Sequence, residues 1–531
     1  MKNNIKLKKR SHITHIWYCI RPFRKSNRNI HDLFGRVHKH YLLKSKNETE
    51  EKMNSRVLIF LIIIIPILGY AQECNFFDDY LWVKKTIEEN DAGFDYAIQQ
   101  KGIEAYKSHN EKISKQIKQI KQKSEYEKIL KEWLSFFRTG HIGIYMINDS
   151  EQASKKDNSN KTTQFSNWEN VECSLIEFKN YLNNEAIDNI EGIWISEPYK
   201  IGIKKQGNEY VGFIIEADGV YWKKGQVKLR ISATKDKMVY YMQDHSEQIF
   251  NEFKIIENIF IQSGFITLRK DFPKIEIDKS LEYYYKSLSS DNPFVIQLNK
   301  NTIILRIPSF SYAEKTKIDS IIKSNKDLFA QTENLIIDLR NNGGGSDYSY
   351  QEIIPFIYTN PIRSIGVELL STPLNNKRME DLITNPDFPK EKKEWAKKAL
   401  DKLNNDIGEF VNLNDTIVSI TELDTIYNYP KNVGIVINEL NGSTTEQFLL
   451  AAKQSKKVKL FGTTTLGVLD ISNMYFVNSP DNEFKLGYCI SRSMRIPDMA
   501  IDNKGIQPDY YIDKSIPKYK WIEFVSKILN E

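Results

Sequence analysis

The stretch 432–450, NVGIVINELNGSTTEQFLL, constrains this chain more than any other. Val433, Ile435, Val436 and Ile437 make a short apolar run of the kind a buried strand needs. Residues 438–442 carry turn formers, and from Thr444 the apolar positions Phe448, Leu449, Ala451 and Ala452 fall on one helical face. Ser443 therefore stands where a strand turns into a helix. At a helix N-terminus the unpaired N–H groups and the helix dipole favour negative charge, which suits a nucleophile and its oxyanion. The same residues also read as a capping box, Ser443 with Glu446 three positions on. Taken alone, the stretch leaves both readings open.

A second stretch bears on the choice. Residues 334–345 read NLIIDLRNNGGG, an apolar strand followed by Asp-Leu-Arg and then three glycines. Such a loop offers backbone N–H groups unobstructed by side chains, or merely a tight crossover after a strand. Asp338 and Arg340 read as a structural ion pair rather than as groups that touch a substrate.

Together with Ile304-Leu305-Arg306-Ile307-Pro308-Ser309-Phe310, Gly462-Thr463-Thr464-Thr465-Leu466-Gly467 and Gly505-Ile506-Gln507-Pro508-Asp509, these stretches resemble the C-terminal processing and tricorn family of serine peptidases. The motifs run in the family's order over about residues 300–515. The resemblance implies a C-terminal α/β core of the ClpP/crotonase type, polypeptide substrates and no metal or organic cofactor. It also implies a nucleophile at Ser443, with an oxyanion hole from the N–H groups of Thr444 and of Gly344 or a neighbour in the triplet. The processing branch uses a lysine base, but Val468 stands in that place and cannot accept a proton. The tricorn-like branch uses a histidine after an N-terminal helical segment, backed by an acidic residue shortly before the Gly-Ile-x-Pro-Asp run. By that resemblance His141 is the general base and acid, and Asp502 its indirect orienter. Asp502 reads equally as a turn former, and His141 as a surface turn histidine. Gly140 precedes His141, where some members carry a hydroxyl.

The rest of the chain frames this core. The net charge of +6 is misleading, because residues 1–71 hold 15 Lys/Arg against 4 Asp/Glu, leaving 60 against 65 for the remainder. A mildly acidic body argues against nucleic-acid binding by bulk electrostatics. Residues 1–52 are a basic extension, and Met53 reads as a translation start. Residues 53–71 read as a secretory signal peptide, with Arg56, an apolar run of about 12 residues, and Gly69 and Ala71 before a cut at Gln72. That run is short of the roughly 20 residues that span a bilayer, although an uncleaved anchor is the other reading. The signal engages the membrane only during export, giving a periplasmic or extracellular protein. Four cysteines at wide spacing support no zinc site and leave one unassignable disulfide open.

The spacing predicts helices over 72–147, ending at His141, and a polar linker over 148–187. Period-two alternation then predicts an antiparallel, barrel-like β segment over 188–272, before the α/β core of 273–531. Of the histidines beyond the signal, His109 falls in a lysine-rich helix and His245 in a loop. The fold expected is a multidomain α/β one. The leading function is a secreted serine endopeptidase acting on exposed or unfolded polypeptide through an acyl-enzyme on Ser443. The alternatives are an inactive ligand- or peptide-binding protein on the same fold, and an esterase using the same serine.

Overall fold

The computed structural model describes residues 76–531 apart from 121, 148–164, 166, 184–186 and 218. The basic extension and the signal segment lie outside the described residues. The fold is a multidomain α/β one, built from N-terminal helices, a large antiparallel sheet and a C-terminal α/β core.

Helices Phe76–Asn90, Phe94–Lys101, Ile103–Ile117 and Lys123–Ser135 come first. Tyr80, Val83, Ile87, Ile113, Leu130 and Trp133 pack on their inner faces, as the 3.6-residue period of these apolar positions dictates. A short strand, Gly143–Met146, follows and pairs antiparallel with Phe484–Ser493 near the other end of the chain. Helices Pro373–Thr384 and Lys390–Asn405, from within the C-terminal part of the chain, turn apolar faces into the same core.

Nine antiparallel strands between Gly192 and Phe272 form one sheet. It curls until its ends approach, with the rings of Phe250 and Phe265 5.8 Å apart. The expected linker over 148–187 needs correction. Its described C-terminal part holds helix Leu175–Leu182, started by a capping box of Ser174 and Glu177. Phe178 and Leu182 bury against Ile193, Val211 and Phe213, so this helix belongs to the sheet. An abundance of polar residues hid two apolar positions four apart.

The C-terminal core is a six-stranded sheet. Its order is Phe294–Asn299, Thr302–Arg306, Asn334–Asp338, Asn432–Ile437, Val458–Gly462 and Tyr510–Tyr511. All neighbours are parallel except the first pair. The central strands are buried on both faces, which explains their unbroken apolar runs. Helix Trp521–Asn530 covers one face through Ile522, Val525 and Leu529. Helices Lys315–Ser324 and Thr444–Ala452 cover the other through Ile318, Ile322, Phe448 and Leu449. Ligands of open parallel sheets bind at the carboxyl ends of the strands, and the loops carrying Gly344 and Ser443 leave the sheet there.

Candidate active site

Ser443 follows strand Asn432–Ile437 and precedes helix Thr444–Ala452. Its backbone has φ 56° and ψ −126°, a conformation an L-residue adopts at a cost of about 1–3 kcal/mol. The turn is imposed from beneath. Asn441 donates through Nδ2 to Leu339 O and Asn342 O, and accepts from Asn438 N. Asn342 links the glycine loop to the serine helix: its Oδ1 accepts from Gly344 N and Thr445 Oγ1, at 3.0 Å each. Neither asparagine stood out in the sequence, where they look like ordinary turn residues.

The capping-box reading fails. The Ser443 side chain makes no cap bond. Glu446 instead accepts from Thr465 Oγ1 at 2.6 Å, Gly467 N at 2.7 Å and Val468 N at 2.9 Å. Positive φ at the serine turns its hydroxyl away from the orientation an N-cap needs.

Asp502 continues what Glu446 begins. Its carboxylate accepts from Leu469 N and Asp470 N at 2.6 Å and from Ile471 N at 3.1 Å. Five consecutive amides, 467 to 471, are thus held by two carboxylates, the buried Glu446 and the half-buried Asp502. Burial raises the pKa of both, and each carboxylate sits under a second nearby negative charge, Asp502 for Glu446 and Asp470 for Asp502. Two of the strap's carbonyls face the candidate site, while those of Gly467 and Asp470 accept from Asn503 N and Ser493 N. Val468 O accepts from Ser443 N at 3.2 Å, and Ile471 O lies 2.8 Å from His141 Nδ1.

The last contact sets the tautomer of His141. A carbonyl only accepts, so Nδ1 carries the proton and Nε2 presents its lone pair. Enclosure pushes the His141 pKa down to about 4, with the nearby Arg138 charge adding to the effect and the Ile471 carbonyl opposing it. Arg138 is anchored by two bonds to Asp91, at 2.6 and 2.7 Å, and also donates to His141 O at 2.9 Å. Like Ser443, His141 has positive φ, 56°.

Val468 brings the histidine turn to the serine turn. A Cβ added at Gly140 would lie 2.6 Å from its Cγ1, and one at Gly442 2.6 Å from its Cγ2. The valine side chain is therefore wedged between the residues that precede His141 and Ser443. No direct hydrogen bond joins the Ser443 hydroxyl to His141 among the described residues, and Asp502 reaches His141 only through the backbone of Ile471. His109 and His245 lie elsewhere. His109 stacks on Phe136, and His245 is sandwiched between Phe165 and Trp222 within the β segment.

Gly344 requires a correction. It has φ 105°, and a Cβ there would lie 2.8 Å from both Ser443 Cβ and Thr444 N, so only glycine fits against the serine. Its N–H, however, already donates to Asn342 Oδ1 and is not available to an oxyanion in this structure. Thr444 N, as the first helical N–H, has no bond of its own among the described residues. Gly343 N is likewise unbonded, and nothing among the described residues lies within 4 Å of where its Cβ would be.

Asp338 and Arg340 pair as expected, through Arg340 Nε to Oδ1 at 2.9 Å and Nη2 to Oδ2 at 2.7 Å. Cys173 and Cys489 are free thiols. Among the described residues no group of three or more His, Cys, Asp or Glu is placed to hold a metal ion.

Residues 301–512 match the family model of peptidase family S41, a span that holds Gly344, Ser443, Thr444 and Asp502 and leaves His141 outside. No curated protein matches the chain. Among solved structures it is similar to mature CPAF, at 13% identity over 86% of this chain and 96% of that one, with a TM-score of 0.47. It is also similar to the photosystem II D1 C-terminal processing protease (11%, 86% and 97%, 0.35). A third is a putative peptidase from Parabacteroides merdae (12%, 86% and 96%, 0.40). Residues 301–512, with the strand-loop-helix that presents the serine, thus form a core of the peptidase family S41 kind, that of serine-type peptidases acting on polypeptides.

Proposed function

We propose that this peptidase cleaves exposed or unfolded polypeptide through an acyl-enzyme on Ser443, with His141 as general base and acid. The observation that carries this reading is the His141 Nδ1–Ile471 O contact, which leaves Nε2 unprotonated on a turn that packs through Val468 against the serine turn. Ser443 Oγ attacks the scissile carbonyl carbon as its proton passes to Nε2. The imidazolium then gives that proton to the leaving amine, and water, deprotonated in turn by Nε2, releases the acyl group. The oxyanion is met by Thr444 N–H at the helix N-terminus, with Gly343 N–H as the glycine loop's donor. Asp502 acts as a positioning residue, holding the strap whose Ile471 carbonyl fixes the imidazole.

The reading extends to export, which rests on residues 53–71 of the sequence; among the described residues no helix is long and apolar enough to cross a membrane. The test is hydrolysis of an unfolded protein substrate by the wild type and by Ser443→Ala. Fragments from the wild type alone support the reading. Equal fragments from both remove Ser443 from the chemistry, and no fragments from either favour the binding-protein alternative.

A further inference from the structure

A cavity of about 350 Å³ lies between the curled sheet and the C-terminal core, lined by Lys254, Arg306, Asp338, Arg340, Asn341 and Asn438 among others. It opens at the same strand ends as the serine. Strand Asn334–Asp338 leads first to Arg340 and Asn341 in the cavity wall, and then to Gly344 against Ser443. Strand Asn432–Ile437 leads first to Asn438 in the wall and then to Ser443 itself. Asn341 N donates to Asn438 Oδ1 and Asn438 Nδ2 to Asn341 Oδ1, which fixes the two loops together on this side.

The charges in the wall do not balance. Asp338 is saturated by Arg340 and by the Tyr283 hydroxyl at 2.7 Å. Arg306 is 4% exposed, and its closest approach to that carboxylate is 4.0 Å. Among the described residues its hydrogen bonds leave from Nη1 alone, to two backbone carbonyls, and its Nε has no partner. Two guanidinium groups thus share one carboxylate. Lys518 at the wall is paired with Glu439 at 3.1 Å, and Lys254 adds positive charge against one exposed carboxylate, Glu252. A buried guanidinium without its own counter-ion is costly unless an anion completes it, and its planar fork suits a carboxylate.

We propose that this cavity binds a carboxylate of the polypeptide substrate, through Arg306, while the chain passes the serine. This deepens, and rests on, the reading of Ser443 as the catalytic centre. The carboxylate has two sources, an acidic side chain or the free C-terminus.

The experiment uses the full chain carrying Ser443→Ala, so that binding is read without acyl chemistry. Three otherwise identical fluorescent peptides are compared: one neutral and amidated, one with a free C-terminal carboxylate, and one amidated with an internal Glu. At least one acidic peptide is expected to bind about ten-fold more tightly than the neutral one, the scale of a charge-assisted hydrogen bond; which one does so identifies the source. Arg306→Met is expected to abolish the preference. Should that variant not fold, Lys254→Glu on the exposed rim decides, and is expected to cut the preference about three-fold. Equal binding of all three peptides overturns the proposal, as does a preference that survives these substitutions. Hydrolysis of the same peptides by the wild type separately reports whether the Ser443 reading stands.

Discussion

At the scale of single residues, the site rests on two side chains held at positive φ and on one aliphatic wedge. His141 is enclosed, with its pKa lowered to about 4. The proposed base is therefore neutral throughout the range above that value, and the acidic limb of kcat/KM is expected near pH 4 rather than near 6.5. A pH–rate profile checks this. Stability follows with a definite sign. Between about pH 4 and 6.5 the unfolded histidine binds a proton that the folded one refuses, so His141's contribution is complete above 6.5 and is lost as pH falls toward 4. Denaturation midpoints of the wild type and His141→Gln across this window are expected to converge as pH falls. Gly140, where a relative's hydroxyl is missing, is explained by Val468, because any Cβ at 140 meets its Cγ1. Gly140→Ala is expected to cost about 1–3 kcal/mol of overpacking and most of the activity. Val468→Ala in the same chain should restore a large part of both, and thermal melts with kinetics on the three variants test it.

At the scale of elements, the central device is the strap 467–471, with its amides on Glu446 and Asp502 and two of its carbonyls, Val468 O and Ile471 O, on Ser443 and His141. Asn at 502 offers one oxygen where the carboxylate offers two, and would turn its NH₂ toward an N–H it must accept from. Asp502→Asn is expected to lower kcat about 10–100-fold through misplacement of Ile471 and hence of the imidazole, with KM little changed. A fall in KM and kcat together, or no change, would contradict a positioning role. The serine turn, the strand before it and the glycine loop were legible because buried parallel strands leave unbroken apolar runs and the turns need particular residues. The strap was not. Its sequence, Gly467 to Ile471, has neither periodicity nor paired charges, since its bonds run from backbone amides to carboxylates 21 and 33 positions away. For the same reason Glu446 reads as a capping residue, although it faces the strap.

At the scale of the molecule, the turns that carry His141 and Ser443 come from opposite parts of the chain and meet at Val468, because the N-terminal segment is fastened to a strand near the other end of the chain. Strand Gly143–Met146 pairs with Phe484–Ser493, and Asp91 ties Arg138 to Cys489 N. Replacing Asp91 by Ala leaves Arg138 buried without its counter-ion. It is expected to cost about 3–5 kcal/mol together with loss of activity, read by chemical denaturation beside an activity assay. This long-range joining is also what the sequence could not display. A histidine 302 positions from the serine carries no local mark of its partner, so His141 was reached through resemblance and through the small number of histidines. The linker over 148–187 was misread for a related reason, since its helix is recognised only once the sheet beneath it exists.

The claim on which the rest depends is that Ser443 is activated by His141. The most direct measurement is the rate of covalent labelling by a fluorophosphonate probe in the wild type, Ser443→Ala and His141→Ala. The account predicts labelling of the wild type at Ser443, none in Ser443→Ala, and a rate at least about 10³-fold lower in His141→Ala. Labelling of His141→Ala at the wild-type rate would contradict it, and would leave the serine in need of another base.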